Sequence, residues 1–421
     1  IHIMLEVTGF KGYTYDTPAV GTLDNVITPP YDVIGPVERA RLAASSPYNL
    51  THLILPEGDG ARSKYEAAGA LLEEWIAKGV FVRDESPCFY LLRQTFTDLK
   101  GQQRVRRGFF GLVRLPEEGA RDILGHERTF AKPIEDRLQL LETTHAQFGA
   151  IFGLYSDPDG ALNPFLDWTE RRPADAHANT IDGVFQDFWR VPYDPTVTAF
   201  LQDKRIYIAD GHHRYQTART YRDHRRAEGQ NDPDAPYQFV MMGFVAIEDP
   251  GLAIYAPHRV VRTPEGFDLN PFLGNLEAWF EVVPATGNLL DAVETDPAAC
   301  AIGLAAKNGG HYVLRLREDL RETLLGNDRG PSWRDLDVAV LHRGILERIL
   351  GMPEGAEFIY EKSAPNAFAS LENGAANLAF ILRPTRPEQI RACAEAGEPM
   401  PQKSTYFFPK LPSGAVVHRL I

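Results

Sequence analysis

Residues 206–215 read Ile-Tyr-Ile-Ala-Asp-Gly-His-His-Arg-Tyr, and this pattern predicts a strand, a turn and the start of a helix. Its first four residues are apolar or aromatic, which predicts a short buried strand. Asp210-Gly211 then predicts a sharp turn or a helix N-cap, because glycine tolerates backbone angles that other residues avoid. The segment from Gln216 to Arg226 holds neither proline nor glycine, so we expect a helix to leave the end of the strand.

The first turn of this helix would hold His212, His213 and Arg214. Unpaired backbone N–H groups and the positive end of the helix dipole meet at such a place and favour an anion. The added arginine and histidine indicate phosphate, and therefore a nucleotide. Asp210 would repel phosphate, so its predicted role is a Mg²⁺ ligand or the helix cap. The alternative is an ordinary structural turn, with His213 in the core and Arg214 in solvent.

Composition narrows the class of protein. The chain has 421 residues, 44% of them hydrophobic and 24% charged, which predicts two or three globular domains. A net charge of −13 argues against nucleic acid and anionic membrane surfaces as partners. Membrane-length apolar stretches and a leader peptide are not expected. The widely spaced Cys88, Cys300 and Cys393 predict buried thiols in a reducing cytoplasm, without disulfides or zinc.

Strand and helix signals alternate along the chain, which predicts an α+β class with a mixed sheet. Runs from Cys88 to Phe96 and from Gln103 to Val113 flank Lys100-Gly101 and predict a hairpin. We expect the arginines at its turn-proximal end to be solvated; they are Arg104, Arg106 and Arg107. Helices are predicted from Lys64 to Lys78 and from Trp333 to Leu350. A boundary near residues 263–266 divides the chain into predicted domains at 4–265 and 266–421.

Three further motifs contain reactive side chains. His126-Glu127-Arg128-Thr129 fits either a general base in a loop or a helix cap with solvated charges. Lys403-Ser404-Thr405 is similar to the end of a P-loop but lacks the upstream glycines, so it predicts either a phosphate contact or a structural strand end. Ala256-Pro257-His258-Arg259 is predicted to be a residue pair at a sheet edge. Sequence signatures of dinucleotide oxidoreductases, α/β-hydrolases and zinc enzymes are missing.

Asp210-Gly211-His212-His213-Arg214 resembles a signature of the ParB/sulfiredoxin superfamily. Sulfiredoxins have Gly-x-His-Arg, and ParB-like serine kinases have Asp-Gly-x-His-Arg, which this chain matches in full. The resemblance implies that Gly211, His213 and Arg214 hold nucleotide phosphates. It also implies a ParB/sulfiredoxin-like nucleotide-binding core with insertions in 4–265, followed by a C-terminal α/β domain in 266–421.

Over nearly the whole chain the sequence resembles a bacterial and archaeal family of unknown function numbered one thousand and fifteen, some of whose members are labelled SpoOJ/ParB-like. Several separated runs support this resemblance in the same order. They are Pro29-Pro30-Tyr31-Asp32-Val33-Ile34, Ser46-Pro47-Tyr48-Asn49, Leu55-Pro56-Glu57-Gly58, His126-Glu127-Arg128-Thr129, the Asp210 motif and Met400-Pro401-Gln402-Lys403-Ser404-Thr405-Tyr406-Phe407.

Together these observations predict a cytoplasmic small-molecule kinase that uses ATP or ADP with Mg²⁺. Resemblance to the ParB-like serine kinases suggests free L-serine as the acceptor. Predicted catalytic residues are Glu127 as general base, Asp32 in reserve and His126. Predicted phosphate-binding residues are Asp210, Gly211, His212, His213, Arg214, Lys403, Ser404 and Thr405, with Asp210 as the metal ligand. Rival hypotheses are a ParB-like CTP- and DNA-binding regulator and a non-catalytic nucleotide-binding scaffold; homo-oligomer formation is left open.

Overall fold

The computed structural model describes residues 4–421. The strands are β1 (Val7–Thr8), β2 (Tyr13–Tyr15), β3 (Phe81–Arg83), β4 (Cys88–Thr97), β5 (Gln103–Arg114), β6 (Ile123–Leu124), β7 (Ala146–Gln147), β8 (Ile151–Tyr155), β9 (Ala176–Asn179), β10 (Phe185–Pro192), β11 (Ile206–Asp210), β12 (Phe239–Ala246), β13 (Ala253–Tyr255), β14 (His258–Val261), β15 (Phe280–Pro284), β16 (Ala301–Ala306), β17 (Gly310–Leu316), β18 (Ile359–Glu361), β19 (Leu378–Ile381), β20 (Tyr406–Phe408) and β21 (His418–Arg419).

The helices are α1 (Thr17–Val20), α2 (Pro36–Ser45), α3 (Thr51–Ile54), α4 (Lys64–Ala77), α5 (Ala131–Thr144), α6 (Asn163–Glu170), α7 (Pro195–Leu201), α8 (His212–Ala227), α9 (Leu269–Glu277), α10 (Leu289–Glu294), α11 (Arg321–Leu325), α12 (Pro331–Arg334), α13 (Asp337–Ala339), α14 (Ala364–Glu372) and α15 (Pro387–Ala396). Short 3₁₀ turns span Leu23–Asn25, Tyr31–Val33, Pro236–Gln238 and Glu318–Leu320, and a π-helix spans Val340–Ile349.

Internal contacts group the chain into two compact units. Unit 1 comprises residues 1–125, 129–253 and 409–421, and unit 2 comprises residues 126–128 and 254–408. The chain therefore returns to unit 1 at its C-terminal end, which a reading along the sequence did not anticipate. The functional domains proposed at 4–265 and 266–421 stay a prediction.

A mixed sheet of nine strands, counted over residues 4–421, forms the centre of unit 1 in the order β6-β11-β8-β12-β5-β4-β10-β9, with β1 paired to β5. The pairs β8–β12 and β6–β11 are parallel, and the remaining pairs are antiparallel. Smaller sheets accompany it. The predicted α+β class with a mixed sheet is therefore confirmed.

β11 is buried along its apolar residues, which is why the segment contains a continuous run of them instead of an alternating pattern. Ile206 and Ile208 pack in one core with Met242 of β12 and Ala218 of α8. Burial of each large aliphatic side chain contributes on the order of 1.5–3 kcal/mol to folding. The predicted strand and the predicted helix that follows it are both confirmed.

The predicted hairpin is also confirmed, because β4 and β5 pair antiparallel from Tyr90–Phe110 to Thr97–Gln103. One prediction about it is wrong. Arg106 is only 1% exposed instead of solvated, because its side chain lies on a covered face of the sheet. Arg104 and Arg107 pair with carboxylates, as hairpin charges commonly do.

Unit 2 has at its centre a six-stranded antiparallel sheet, counted within the described residues, in the order β15-β17-β16-β19-β14-β18. His258 and Arg259 lie on β14, which has a neighbour on each side, and both residues are buried. Their predicted position at a sheet edge is therefore wrong. All three cysteines are free and buried, as predicted.

The single helix predicted from Trp333 to Leu350 is wrong in form. It is divided into α12, α13 and the π-helix, because Leu336 takes an extended conformation with ψ 130°. The π-helix packs closely on α11, where a Cβ on Gly344 would lie 2.8 Å from Leu324 Cδ2. Within the part of the chain that the structure describes, no helix combines the length and apolar character needed to cross a bilayer.

Two buried histidines make the stability of unit 2 sensitive to acid. His258 Nδ1 accepts a hydrogen bond from Leu382 N–H at 3.0 Å, and His342 Nε2 accepts one from Arg259 Nε–H at 3.0 Å. Burial, with the nearby charge of Arg259, lowers the pKa of His258 to about 4 and that of His342 to about 3. The unfolded chain therefore binds more protons than the folded chain below about pH 6.5.

We expect the free energy of unfolding to fall by about 2–3 kcal/mol for these two groups as the pH drops from 7.5 to 5.5, because each imidazole contributes about 1.4 kcal/mol for each pH unit below 6.5. Urea unfolding at pH 7.5 and 5.5 measures the loss. His342→Gln and His258→Gln should each reduce it, because glutamine keeps an acceptor that does not titrate. An identical loss in wild type and both variants would contradict the assignment.

Candidate functional site

The junction of β11 and α8 has a left-handed residue at its turn. Gly211 is the N-cap of α8 with φ 94° and ψ 27°, and a side chain there would be strained. Asp210 is not the N-cap residue, because Gly211 occupies that position. The first intrahelical bond runs from Tyr215 N–H to Gly211 O at 2.9 Å, so the N–H groups before it have no helical acceptor.

Asp210 contacts two cations. Its Oδ2 lies 3.4 Å from Arg214 Nη2, and its Oδ1 lies 3.7 Å from Lys410 Nζ. Burial by itself would raise the pKa of Asp210, but the charges of Lys410 and Arg214 and a bond from the Gly211 N–H lower it overall. The carboxylate is therefore ionised near neutral pH and holds the two cations in one place.

Arg214 is held from a second side. Its Nη1 donates to Ala150 O at 2.7 Å, and its side chain is 15% exposed. A Cβ on Gly149 would lie 3.1 Å from this Nη1, so glycine at that position leaves room for the guanidinium. Arg214 is thus neither solvated nor sealed inside the fold, which contradicts the structural alternative for this residue.

Lys410 was not predicted as a site residue. It follows Phe408-Pro409 in the chain and belongs to the C-terminal segment that returns to unit 1. The sequence offers no signal for its role beyond its place in the run 399–410. Only tertiary structure brings it to Asp210, two hundred residues earlier in the chain.

The imidazole of His213 accepts a hydrogen bond in this structure. Its Nε2 accepts a hydrogen bond from Phe130 N–H at 3.1 Å, and its ring stacks on the Phe130 ring with centroids 6.0 Å apart. Burial lowers the pKa of His213, although the negative charge of Asp32 acts in the other direction. His213 is therefore neutral near pH 7 and supplies shape and hydrogen bonding to the motif, with no positive charge.

His212 is buried at 5% exposure. Its ring packs on Gly125, where a Cβ would lie only 2.8 Å from His212 Cδ2. Asp32 lies in an exposed 3₁₀ turn of the same unit, within electrostatic reach of His213. Unit 1 therefore contains one predicted acid, Asp32, together with residues 210–214 of the predicted phosphate site.

An open, mainly apolar cavity adjoins the motif inside unit 1. Arg214 and Arg137 contribute the charged groups of its wall, and Arg137 Cζ lies 4.2 Å from the centroid of the Tyr31 ring. Much of the remaining wall is aliphatic or aromatic, including Ile54, Leu140, Phe148, Ile151 and Val240. The guanidinium of Arg214 thus lies at the N-terminus of α8 and also lines the apolar cavity.

The other predicted residues lie in unit 2. His126 is buried, and its Nε2 lies 3.3 Å from Thr405 Oγ1 and 4.0 Å from Glu127 Oε1. The backbone fixes this arrangement, because His126 O accepts a hydrogen bond from Met400 N–H at 2.8 Å. An imidazole, a carboxylate and a hydroxyl are therefore within reach of one another, which is the chemistry of a proton acceptor.

Lys403 and Ser404 differ in their availability. Lys403 is exposed and adopts a left-handed conformation with φ 55°, and the carbonyl of Gln402 before it accepts a hydrogen bond from Arg259 Nη2 at 3.0 Å. Ser404 is buried, and its hydroxyl donates to Pro401 O. The ammonium of the exposed Lys403 lies 5.7 Å from the centroid of the Tyr360 ring, whereas the Ser404 hydroxyl is used inside its own loop.

The donors around Asp210 fit a protein-held metal ion poorly. Within residues 4–421, no group of three or more His, Cys, Asp or Glu side chains is arranged to hold one. The carboxylate of Asp210 already faces Arg214 and Lys410, and two cations beside it disfavour a third. Asp210 as a Mg²⁺ ligand stays a prediction that this arrangement does not favour.

Gly211→Ala should destabilise the protein by about 1–2 kcal/mol from its left-handed backbone alone. An additional loss is expected because the new Cβ would lie 3.1 Å from Arg214 Nη2 and 3.3 Å from Ile151 Cδ1. Urea unfolding measures the sum of the backbone and steric losses.

Gly229→Ala is the matched control, since Gly229 follows the same helix with φ 86° and has open space around its Cβ position. Equal losses in the two variants would show that the Arg214 side chain is not constrained by the turn.

Comparison with known proteins begins with solved structures. Similar chains include a free serine kinase variant in complex with AMP, at 14% identity, with 71% of this chain and 87% of that chain covered and a TM-score of 0.37. A conserved hypothetical protein from Pyrococcus furiosus is 16% identical, with 72% and 93% covered and a TM-score of 0.34. C-terminally truncated SbnI from Staphylococcus aureus is 14% identical, with 72% and 85% covered and a TM-score of 0.35. TM-scores below 0.5 do not establish a shared fold.

No curated protein matches the sequence. A family model, described as a protein of unknown function (DUF1015), matches residues 7–339, which is most of the chain. The chain therefore belongs to the DUF1015 family.

Proposed function

We propose that this protein is a nucleotide-dependent phosphotransferase that acts on a small substrate with a hydroxyl group. The observation that supports this best is the position of Arg214. Its guanidinium lies at the N-terminus of α8, pairs with Asp210 and also lines the apolar cavity. A nucleotide combines a polyanion with a flat, largely apolar base, and this arrangement offers a place for each part.

The polyphosphate end would lie at the first turn of α8. Backbone N–H groups there lack helical acceptors, and the helix dipole adds roughly 0.3–1 kcal/mol for a negative charge. Arg214 and Lys410 supply two cations, and each charge-assisted hydrogen bond to phosphate would add on the order of 1.5–3 kcal/mol. Lys403 is proposed as a further phosphate contact, with Thr405 beside it in the chain.

The base would occupy the apolar cavity. Tyr31, Phe148 and Ile151 offer aromatic and aliphatic surface, and Arg214 marks the end nearest the phosphates. Small-molecule sites of this kind are mainly apolar with a few polar groups that set orientation. ATP and ADP are the proposed nucleotides, and Mg²⁺ would enter with their phosphates, since the protein offers no cluster of metal ligands within residues 4–421.

In the proposed reaction, the acceptor oxygen forms a bond to the terminal phosphorus while the bond from that phosphorus to the bridging oxygen breaks. The shortened nucleotide leaves, and the proton of the acceptor hydroxyl passes to a carboxylate. Glu127 is the leading base because its carboxylate lies beside the buried imidazole of His126. Asp32, exposed in the unit that contains the motif, is the second candidate. Positioning and neutralisation of charge would supply most of the rate enhancement.

We also propose that the sheet of unit 1 and α8 form a ParB/sulfiredoxin-like nucleotide-binding core. The Asp210-Gly211-His212-His213-Arg214 turn supports this proposal, because it lies directly between a buried strand and a long helix. Free L-serine is the first acceptor to test.

Arg214→Ala and Lys410→Ala should each weaken ATP and ADP binding by about tenfold or more, because each removes a cation from the proposed phosphate site. Isothermal titration calorimetry in the presence of Mg²⁺ measures the change. Arg225→Ala is the matched control, since Arg225 lies at the far end of the same helix and pairs with Glu228. Folded Arg214→Ala protein that binds ATP as tightly as the control would refute the phosphate site.

Glu127→Gln should lower turnover at least about 100-fold while the nucleotide Kd changes less than twofold, because a general base acts in the chemical step. Formation of phosphoserine from L-serine with ATP or ADP and Mg²⁺, followed by mass spectrometry, is the assay. Asp32→Asn tests the second candidate in the same way, and Glu57→Gln, an exposed acid paired with Arg39, is the control.

Three other results would redirect the proposal. Nucleotide binding without turnover on any small alcohol would favour the scaffold. CTP preference with salt-dependent binding of duplex DNA would favour the regulator. Loss of turnover in Asp32→Asn but not in Glu127→Gln would transfer the role of base to Asp32.

A further inference from the structure

Arg106 is a buried cation that forms no close ion pair, although the more distant charges of Asp249 and Asp182 act to raise its pKa. Its side chain is 1% exposed, none of the described carboxylates forms an ion pair with it, and its Nη1 has no hydrogen-bond partner. Burial lowers the pKa of this guanidinium to about 9. Burying an unpaired charge is unfavourable, and an apolar side chain of similar volume would fill the space at less cost. The residue therefore has a role that packing does not explain.

One hydrogen bond of Arg106 goes directly to the 409–410 loop, and the others go to Gln94, which itself contacts that loop. Its Nη2 donates to Pro409 O at 2.5 Å and to Gln94 Oε1 at 2.6 Å, and its Nε donates to the same Gln94 oxygen at 3.2 Å. Gln94, 1% exposed, then donates from Nε2 to Lys410 O at 3.0 Å. The ring of Phe152 lies under the guanidinium, 4.6 Å from Cζ, and fixes its plane.

Two buried side chains of the β4–β5 hairpin thus hold two successive carbonyls, those of Pro409 and Lys410. The Lys410 side chain is 9% exposed and reaches Asp210 with its Nζ. A lysine side chain is flexible, so the place that its ammonium can reach is set by where its backbone is held. The hairpin is therefore connected to the Asp210 carboxylate through Lys410.

We propose that Arg106 and Gln94 are positioning residues that fix the Lys410 backbone so that its ammonium meets Asp210 beside Arg214. The effect on ligand binding rests on the proposed function, because Lys410 is there a phosphate contact. The effect on the position of the Lys410 side chain is independent of the proposed function and is measured separately.

Arg106→Met is the principal variant, because methionine keeps much of the apolar volume and removes both the bond to Pro409 O and the bonds to Gln94. Gln94→Met removes the bond to Lys410 O without changing a charge, and it carries the test if Arg106→Met does not fold. Arg222→Met is the matched control. Arg222 is 2% exposed and donates to the carbonyls of Leu115 and Pro116, so it is a buried arginine that holds a different loop.

The first measurement is the rate at which sulfosuccinimidyl acetate acetylates Lys410, followed by peptide mass spectrometry on the full chain without nucleotide. Arg106→Met and Gln94→Met should raise this rate about fivefold or more, since residues in direct contact are energetically coupled. The control should leave it within twofold of wild type. An unchanged rate in folded Arg106→Met or Gln94→Met protein would overturn the proposal.

The second measurement is a double-mutant cycle on the Kd for ATP. Arg106→Met should weaken binding about fivefold in the wild-type background and leave it unchanged in a Lys410→Met background, because it acts through that lysine. An equal loss in both backgrounds would mean that Arg106 acts on the fold in general, and would overturn the positioning role. If the wild-type chain binds neither ATP nor ADP, the proposed function fails, while the acetylation rate still decides whether Arg106 positions Lys410.

Discussion

The carboxylate of Asp210 contacts the guanidinium of Arg214 through one oxygen and the ammonium of Lys410 through the other. Two cations side by side repel each other, and a buried carboxylate is unfavourable by itself, so each group depends on the others. The net effect favours the ionised acid, as the lowered pKa of Asp210 indicates. This contact joins the end of a buried strand, the first turn of a long helix and the C-terminal segment of the chain.

A polyanion that bound at this point would meet two cations already held in place. Arg214 is also held by the carbonyl of Ala150, and Lys410 by the bond that its carbonyl accepts from Gln94. Groups fixed before a ligand arrives do not have to be ordered when it binds, which favours affinity. The neutral His213 adds no charge to this collection, and its place is set by Phe130.

Several buried arginines of this chain donate hydrogen bonds to backbone carbonyls of other segments. Arg106 and Arg222 donate to backbone carbonyls in unit 1, and Arg259 donates to the carbonyls of Pro257 and Gln402 in unit 2. Burial lowers the pKa of Arg259 to about 10, so this charge too is held at some cost. Two of these carbonyls belong to the residues directly before proposed phosphate contacts: Gln402 precedes Lys403, and Pro409 precedes Lys410. The planar, multi-donor guanidinium suits this task because it can hold a carbonyl and a neighbouring group at once.

Local patterns along the chain were sufficient for several elements. The β4–β5 hairpin, α4 and the passage from β11 to α8 followed from apolar runs, turn residues and the absence of helix breakers. Two of the failures share a cause, and the third has a different one. Arg106 was expected in solvent, and His258 with Arg259 at a sheet edge, because a sequence does not state which segment covers a sheet face. The helix expected from Trp333 to Leu350 failed because its backbone breaks at Leu336.

Local sequence patterns are sufficient for the buried strand, the left-handed glycine and the helix of residues 206–227, because φ/ψ sterics and apolar patterning act between near neighbours. They also place an arginine in the first helical turn. Three features follow from the fold alone: Lys410 reaches Asp210, His213 accepts a hydrogen bond from Phe130, and Arg106 is buried against the 409–410 loop. Those outcomes depend on burial and on ion pairs between residues far apart in the chain, and no local pattern of residues encodes such contacts.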